Sequence, residues 1–85
     1  MLKIYGSMLC KDCVECCEDL SREGVSFVFL DFADSLSNLK EFLTLRDLPI
    51  FDAAKQAGAI GIPCIVREDG SVTLDWSCYV SQDKA

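Results

Sequence analysis

The sequence predicts an α/β fold, on three observations. Strand-like, helix-like and strand-like patterns follow one another within residues 1–32. A long helical stretch fills the middle of the chain. Two short strand-like runs flank a turn signal near the end.

"LKIY", residues 2–5, is a short buried strand closed by Gly6. From Lys11 to Glu23 the apolar positions Val14, Cys17 and Leu20 recur at three-residue steps, which predicts one buried helix face. Gly24 stands where a helix C-cap glycine belongs. "VSFVFLDF", residues 25–32, is rich in β-branched and aromatic residues and predicts a second strand. Together these form a βαβ unit with parallel strands and a right-handed crossover. Asp34 or Ser35 then caps a helix whose Leu36, Leu39, Phe42 and Leu43 make an apolar stripe, read as core. Pro49 interrupts that pattern and opens a second helical piece through Ala57, ended by Gly58 and Gly61. "CIV", residues 64–66, and "SVTLDW", residues 71–76, flank the turn "REDG" as an antiparallel hairpin. The tail "SCYVSQDKA" carries no clear pattern.

Length and composition bound the function. Eighty-five residues make one domain, 1–85, and 51% hydrophobic residues spread along the chain suit a compact globule. The formal net charge of −6, with no Lys/Arg cluster, argues against nucleic acid and anionic membranes as partners. The N-terminus shows no signal-peptide pattern, and no run approaches the roughly 18 apolar residues of a membrane span. The expected location is therefore cytoplasmic. There six cysteines point to catalysis or metal binding rather than to a disulfide framework. No histidine is present to assist a nucleophile or ligate a metal.

Four of the six cysteines fall within "CKDCVECC", residues 10–17. Cys10 and Cys13 form a C-x-x-C at the junction of the first strand and first helix. The unpaired N–H groups and dipole of a helix N-terminus favour a thiolate, with Lys11 adding to that effect and Asp12 opposing it. Cys10 is thus the expected exposed nucleophile and Cys13 the buried resolving thiol. Cys17 is read as a small apolar core residue, and Cys16 as facing solvent or a rim. Cys64 directly follows Pro63 and is expected near the active pair, with packing as its simplest role. No role is expected for Cys78. Pro63 itself is unusual at the start of a strand, and a cis Ile62–Pro63 bond would account for it.

The order "KIYGSMLCKDC", helix, strand, helical segment, "GIP" and "CIVREDGSVTL" hairpin resembles glutaredoxins and the wider thioredoxin-like superfamily. The resemblance covers residues 1–76. It implies a four-stranded mixed β-sheet of order 2-1-3-4 flanked by helices, with the family's final helix shortened or absent. It implies thiol–disulfide exchange at Cys10 and Cys13, with Pro63 beside them and the Ile62 backbone pairing with a bound thiol substrate. Lys11 and Asp75 are the remaining candidate substrate contacts. The chain departs from the family in having Lys11-Asp12 between the cysteines, Gly61-Ile62-Pro63 before the third strand, and Leu74-Asp75-Trp76 where a Gly-Gly would help hold glutathione.

The expected activity is therefore that of a glutaredoxin-like dithiol–disulfide oxidoreductase, with Cys10 and Cys13 catalytic and Lys11, Ile62, Pro63 and Asp75 binding substrate. No cofactor is required, and glutathione is a candidate co-substrate. Expected partners are protein disulfides or low-molecular-weight thiols, acting on a monomer. The alternative is a thiolate module for a metal or an iron–sulfur cluster, drawing on Cys10, Cys13 and Cys17 with Cys16 or Cys64. An arsenate-reductase-like enzyme ranks below both, because the cations that would hold an oxyanion (Lys3, Lys11, Arg46 and Arg67) are scattered.

Overall fold

The computed structural model of the protein describes residues 1–80. It has strands β1 (Leu2–Gly6), β2 (Phe27–Asp31), β3 (Cys64–Val66) and β4 (Val72–Thr73). The helices are α1 (Lys11–Arg22), α2 (Leu36–Leu45) and α3 (Asp52–Gln56), with 3₁₀ turns at Pro49–Phe51 and Ser77–Tyr79. The strands form one mixed sheet in the order β2-β1-β3-β4. β1 runs parallel to β2, with Ile4 beside Phe29, and antiparallel to β3, with Ile4 beside Ile65. β4 closes the sheet antiparallel to β3.

Local chemistry sets the ends of these elements. α1 stops where Val25 N–H bonds the Leu20 carbonyl and Gly24 N–H bonds that of Ser21, which satisfies carbonyls the helix leaves open. Ser35 is the N-cap of α2, its hydroxyl accepting from Ser37 N–H at 3.1 Å. Asn38 donates to the Asp31 carbonyl at 2.9 Å and Tyr5 to Glu41 at 2.7 Å, so α2 is tied to both parallel strands. The hairpin turns at "REDG", where Asp69 accepts from Ser71 N–H at 2.9 Å. β4 is shorter than the predicted 71–76. The Thr73 hydroxyl accepts from Asp75 N–H, and Asp75 from Ser77 N–H, so the chain turns into the 3₁₀ segment instead of extending the ladder.

Alternation along the central strand divides the core between the two faces. Leu2, Ile4 and Ile65 pack with Cys16 and Leu20 of α1, joined by Phe27, Phe29, Trp76 and Tyr79. Tyr5 and Cys64 pack on the other side with Phe42 and Phe51. The stripe expected on α2 is narrower than its sequence suggests. Leu36 and Leu43 are exposed, and the helix presents Leu39, Phe42 and Leu45 to the core. Phe51 occupies the remaining space, its ring 5.7 Å from that of Phe42 in an edge-to-face arrangement. Among the described residues no helix is long and apolar enough to cross a membrane.

The loop from α3 to β3 is the tightest part of this second face. Gly61 has φ +94°, and a Cβ there would come within 2.6 Å of the Phe51 ring. Gly58 has a similar φ of +72° with open space around it. Replacing Gly61 by Ala is therefore expected to cost about 3 kcal/mol, combining backbone strain with overpacking. Gly58→Ala carries only the strain, about 1 kcal/mol. Urea denaturation of both variants checks this, and equal losses would show that the Phe51 contact yields freely.

Candidate functional site

The site is built where β1 ends and α1 begins. After Gly6 the chain makes a tight turn in which Cys10 N–H bonds the Ser7 carbonyl at 3.0 Å and Leu9 N–H bonds the Ser7 hydroxyl at 3.1 Å. This turn pushes Met8 and Leu9 outward; Leu9 is 96% exposed. It also places Cys10 at the N-cap of α1 with extended backbone (φ −93°, ψ 121°), its carbonyl accepting from Val14 N–H. No side chain caps this helix end. Cys10 is half-buried, and Cys13, one turn in, is fully buried.

Cys13 is seated on Gly6. A Cβ at Gly6 would lie 2.6 Å from the Cys13 sulfur, so any other residue would displace it. Burial raises the Cys13 thiol well above its ordinary range. A hydrogen bond from the Ser7 backbone works against that, while a hydrogen bond to Cys10 and the nearby Cys10 and Cys17 charges add to it. The two thiols of the C-x-x-C are therefore one helical turn apart and unlike in environment. One meets solvent at a helix end, and the other is held in its neutral form behind it.

The remaining expected site residues are distributed as follows. Lys11 and Asp12 are exposed at the start of α1. The Ile62–Pro63 bond is cis. β3 pairs Cys64 with Tyr5, and one further step in that register sets Pro63 opposite Gly6, the residue under Cys13. Ile62 is half-buried, with no backbone hydrogen bond among the described residues. Asp75 is exposed, and its carboxyl is held below the usual range by hydrogen bonds from Ser77. It faces a groove of about 230 Å³ shared with Glu15, Asp19 and Trp76, along the flank of α1 rather than at Cys10. A larger groove of about 440 Å³, with Leu2, Arg67 and Tyr79 in its walls, lies at the opposite end of β1 and contains none of these residues.

Two cysteine assignments are corrected. Cys16 is fully buried and Cys17 half-buried, the reverse of the expectation, because Cys13, Cys16 and Leu20 form the line that faces the sheet. These three stand at i, i+3 and i+7, one face of the helix, which leaves Cys17 at its edge. Trp76 packs over the same core, and its indole N–H bonds Asp19 at 2.9 Å. Cys64 is buried on the other face with Tyr5, Phe42 and Phe51, consistent with packing. Cys78 is exposed, 4.0 Å from an Arg67 guanidinium nitrogen.

Sequence reasoning missed Gly6 and Ser7, whose roles depend on how closely Cys13 approaches β1. It also read Arg46 only as one of several scattered cations. Arg46 donates to the Ile60 carbonyl at 2.6 Å and the Ala59 carbonyl at 2.8 Å, just ahead of the Gly61–Pro63 loop. Among the described residues, no three cysteine or acidic side chains converge as metal ligands.

Neither a protein-family model nor a solved structure matches the chain. It is 39% identical over 75 residues to a Haemophilus influenzae protein described as uncharacterized, an alignment covering 87% of each chain. The chain belongs to that protein's family. Membership brings no activity with it.

The buried thiols make stability depend on pH in one direction. Burial pushes Cys16 up to about 12 and Cys64 up to about 11, from an ordinary value of 9.0. The folded state thus keeps protons that the unfolded chain has released, and stability present below about pH 9 is lost as pH rises toward 11–12. Under reducing conditions the urea midpoint is expected to fall steadily above about pH 9. Cys16→Ala should lower the midpoint at neutral pH and flatten the alkaline slope. A slope unchanged by that substitution would assign the loss to other groups.

Proposed function

We propose that the protein is a thiol–disulfide oxidoreductase of glutaredoxin-like, thioredoxin-like type, with Cys10 as nucleophile and Cys13 as resolving thiol. The observation that carries this reading is the placement of a half-buried Cys10 at the N-cap of α1 with a fully buried Cys13 one turn behind it. A thiolate on Cys10 meets the open N–H groups and the positive end of the helix dipole. Cys13, held neutral by burial, neither competes for the incoming substrate nor repels that charge.

In the forward cycle the Cys10 thiolate attacks one sulfur of a substrate disulfide. A Cys10–substrate disulfide forms, and the other substrate sulfur leaves as a thiolate that takes up a proton. Cys13 then gives up its proton and attacks the Cys10 sulfur. The Cys10–Cys13 disulfide forms and the second substrate thiol departs, so two electrons have passed to the substrate. Two equivalents of an external thiol reverse the change and are themselves oxidised to a disulfide. No cofactor enters the cycle. It suits a reducing compartment such as the cytoplasm.

The surroundings favour protein disulfides over glutathione as substrate. The uncommitted backbone of Ile62, next to Pro63, offers an extended peptide one hydrogen-bonding edge. Lys11 is offset by Asp12, and Asp75 shares its groove with Glu15 and Asp19, so a tripeptide with two carboxylates meets little to hold it. Glutathione then serves as a reductant rather than as a tightly bound co-substrate.

Equilibration in thiol/disulfide buffers, followed by alkylation and peptide mass analysis, tests the reading. A single two-electron transition confined to Cys10 and Cys13 is expected. Cys10→Ser should lower exchange by about 10³-fold or more, whereas Cys13→Ser should accumulate a mixed disulfide on Cys10. Purified protein in which a metal shields both thiols from alkylation would replace this reading with the thiolate binding module.

A further inference from the structure

We propose that Arg46 is a positioning residue that fixes the Gly61–Pro63 edge for extended peptide substrates, and so governs exchange with peptide disulfides while sparing small ones. The inference rests on the oxidoreductase reading above and adds to it a residue from the far end of α2, remote in sequence from both cysteines.

Three contacts converge on the Arg46 guanidinium. Nε donates to the Ile60 carbonyl at 2.6 Å, and a terminal nitrogen donates to the neighbouring Ala59 carbonyl at 2.8 Å. The guanidinium carbon lies 5.9 Å from the centre of the Phe51 ring. That same ring stands against Gly61, where a Cβ would come within 2.6 Å. Arg46 therefore holds the chain on one side of Gly61, and the ring over which it sits limits the chain on the other.

Gly61 and Pro63 are buried and Ile62 packs partly on the Tyr5–Phe42–Phe51–Cys64 cluster, but the stretch just ahead of them has few other ties. Ala59 N–H bonds the Ala54 carbonyl at 2.8 Å, but no backbone hydrogen bond reaches Ile60, Gly61 or Ile62 among the described residues. Ile60 is 58% exposed, so burial does not anchor it either. Beyond it, one step past the Tyr5–Cys64 pair brings Pro63 to the level of Gly6, on which Cys13 is seated. The height of the Ile62 amide and carbonyl relative to the cysteines is thus set from the β3 side by Pro63 and Cys64 and from the α3 side by where Arg46 stops Ile60. A peptide laid along that edge needs it at one height. A disulfide without amide groups does not use the edge at all. Lysine in place of arginine keeps the charge but loses the planar fork that reaches two carbonyls at once.

The test compares wild type, Arg46→Ala and Arg46→Lys. Each is pre-reduced and then oxidised by excess of either a short cyclic disulfide peptide or hydroxyethyl disulfide, with alkylation as the quench. For Arg46→Ala, the half-saturating peptide concentration is expected to rise about tenfold while the limiting rate changes less than about twofold. The rate with hydroxyethyl disulfide and the Cys10–Cys13 midpoint potential should stay as in wild type, and Arg46→Lys should fall between wild type and Ala. A loss shared equally by both substrates, or a shifted midpoint potential, would mean that Arg46 acts on the dithiol or the whole fold and would overturn the proposal. Unchanged peptide kinetics would overturn it as well. A wild-type protein that exchanges with neither disulfide would instead remove the oxidoreductase reading beneath it.

Discussion

The seat of Cys13 on Gly6 is the contact on which the rest of the arrangement depends. It joins the first turn of α1 to the end of the central strand with no side chain in between, and a Cβ at Gly6 would overlap the sulfur. Because the helix can approach that closely, Cys13 loses its water and Cys10, three residues earlier, becomes the N-cap. The same approach turns Cys16 and Leu20 onto Leu2, Ile4 and Ile65, so the seat of one thiol sets the packing of a whole sheet face. Desolvation is the largest influence on Cys13, ahead of any neighbouring charge. A residue larger than glycine at position 6 would therefore change both the packing and the protonation of the pair.

The two sides of the sheet meet at this point for different reasons. On the α1 side, closeness comes from small atoms: sulfur against glycine. On the α2 side it comes from aromatic rings, with Phe42 and Phe51 edge to face and the Phe51 ring limiting Gly61. The cis bond at Pro63 lies where these two constructions adjoin, one register step from Tyr5–Cys64. In the proposed exchange, the dithiol is thus carried by the first face and the edge for substrate by the second. Arg46 belongs to the second face alone, which is why its effect can be separated from that of the dithiol.

Much of this was legible in the sequence where the signal was local. The strand at 2–5, the helix opening at Lys11, the serine cap of α2 and the "REDG" turn each follow from residues next to one another. The C-x-x-C position at a strand–helix junction follows likewise. The sheet order implied by the glutaredoxin resemblance is the order found. What escaped was long-range. The burial of Cys16 in place of Cys17 depends on how α1 meets β1 through Cys13 and Gly6, and Trp76, read as the end of a strand, instead bonds Asp19 across 57 positions of sequence. Leu36 and Leu43 are exposed while Phe51 is buried against Phe42, a ranking of apolar residues that periodicity alone cannot make. Of the expected tail, residues 81–85 lie outside those described.

Six chemically identical thiols in 85 residues pose a problem of discrimination that burial resolves. Cys16 and Cys64 serve as small apolar residues, one on each face of the sheet, and burial raises both far from the range in which a thiolate forms near neutrality. Cys17 is shifted the same way by partial burial. Cys78 is exposed on a 3₁₀ turn, its sulfur 4.0 Å from an Arg67 guanidinium nitrogen. Among the described residues, Cys10 alone combines access to solvent, a helix N-terminus and a second thiol one turn away. In the proposed exchange, position rather than residue type thus sets Cys10 apart from the other thiols, with Cys13 placed to act second.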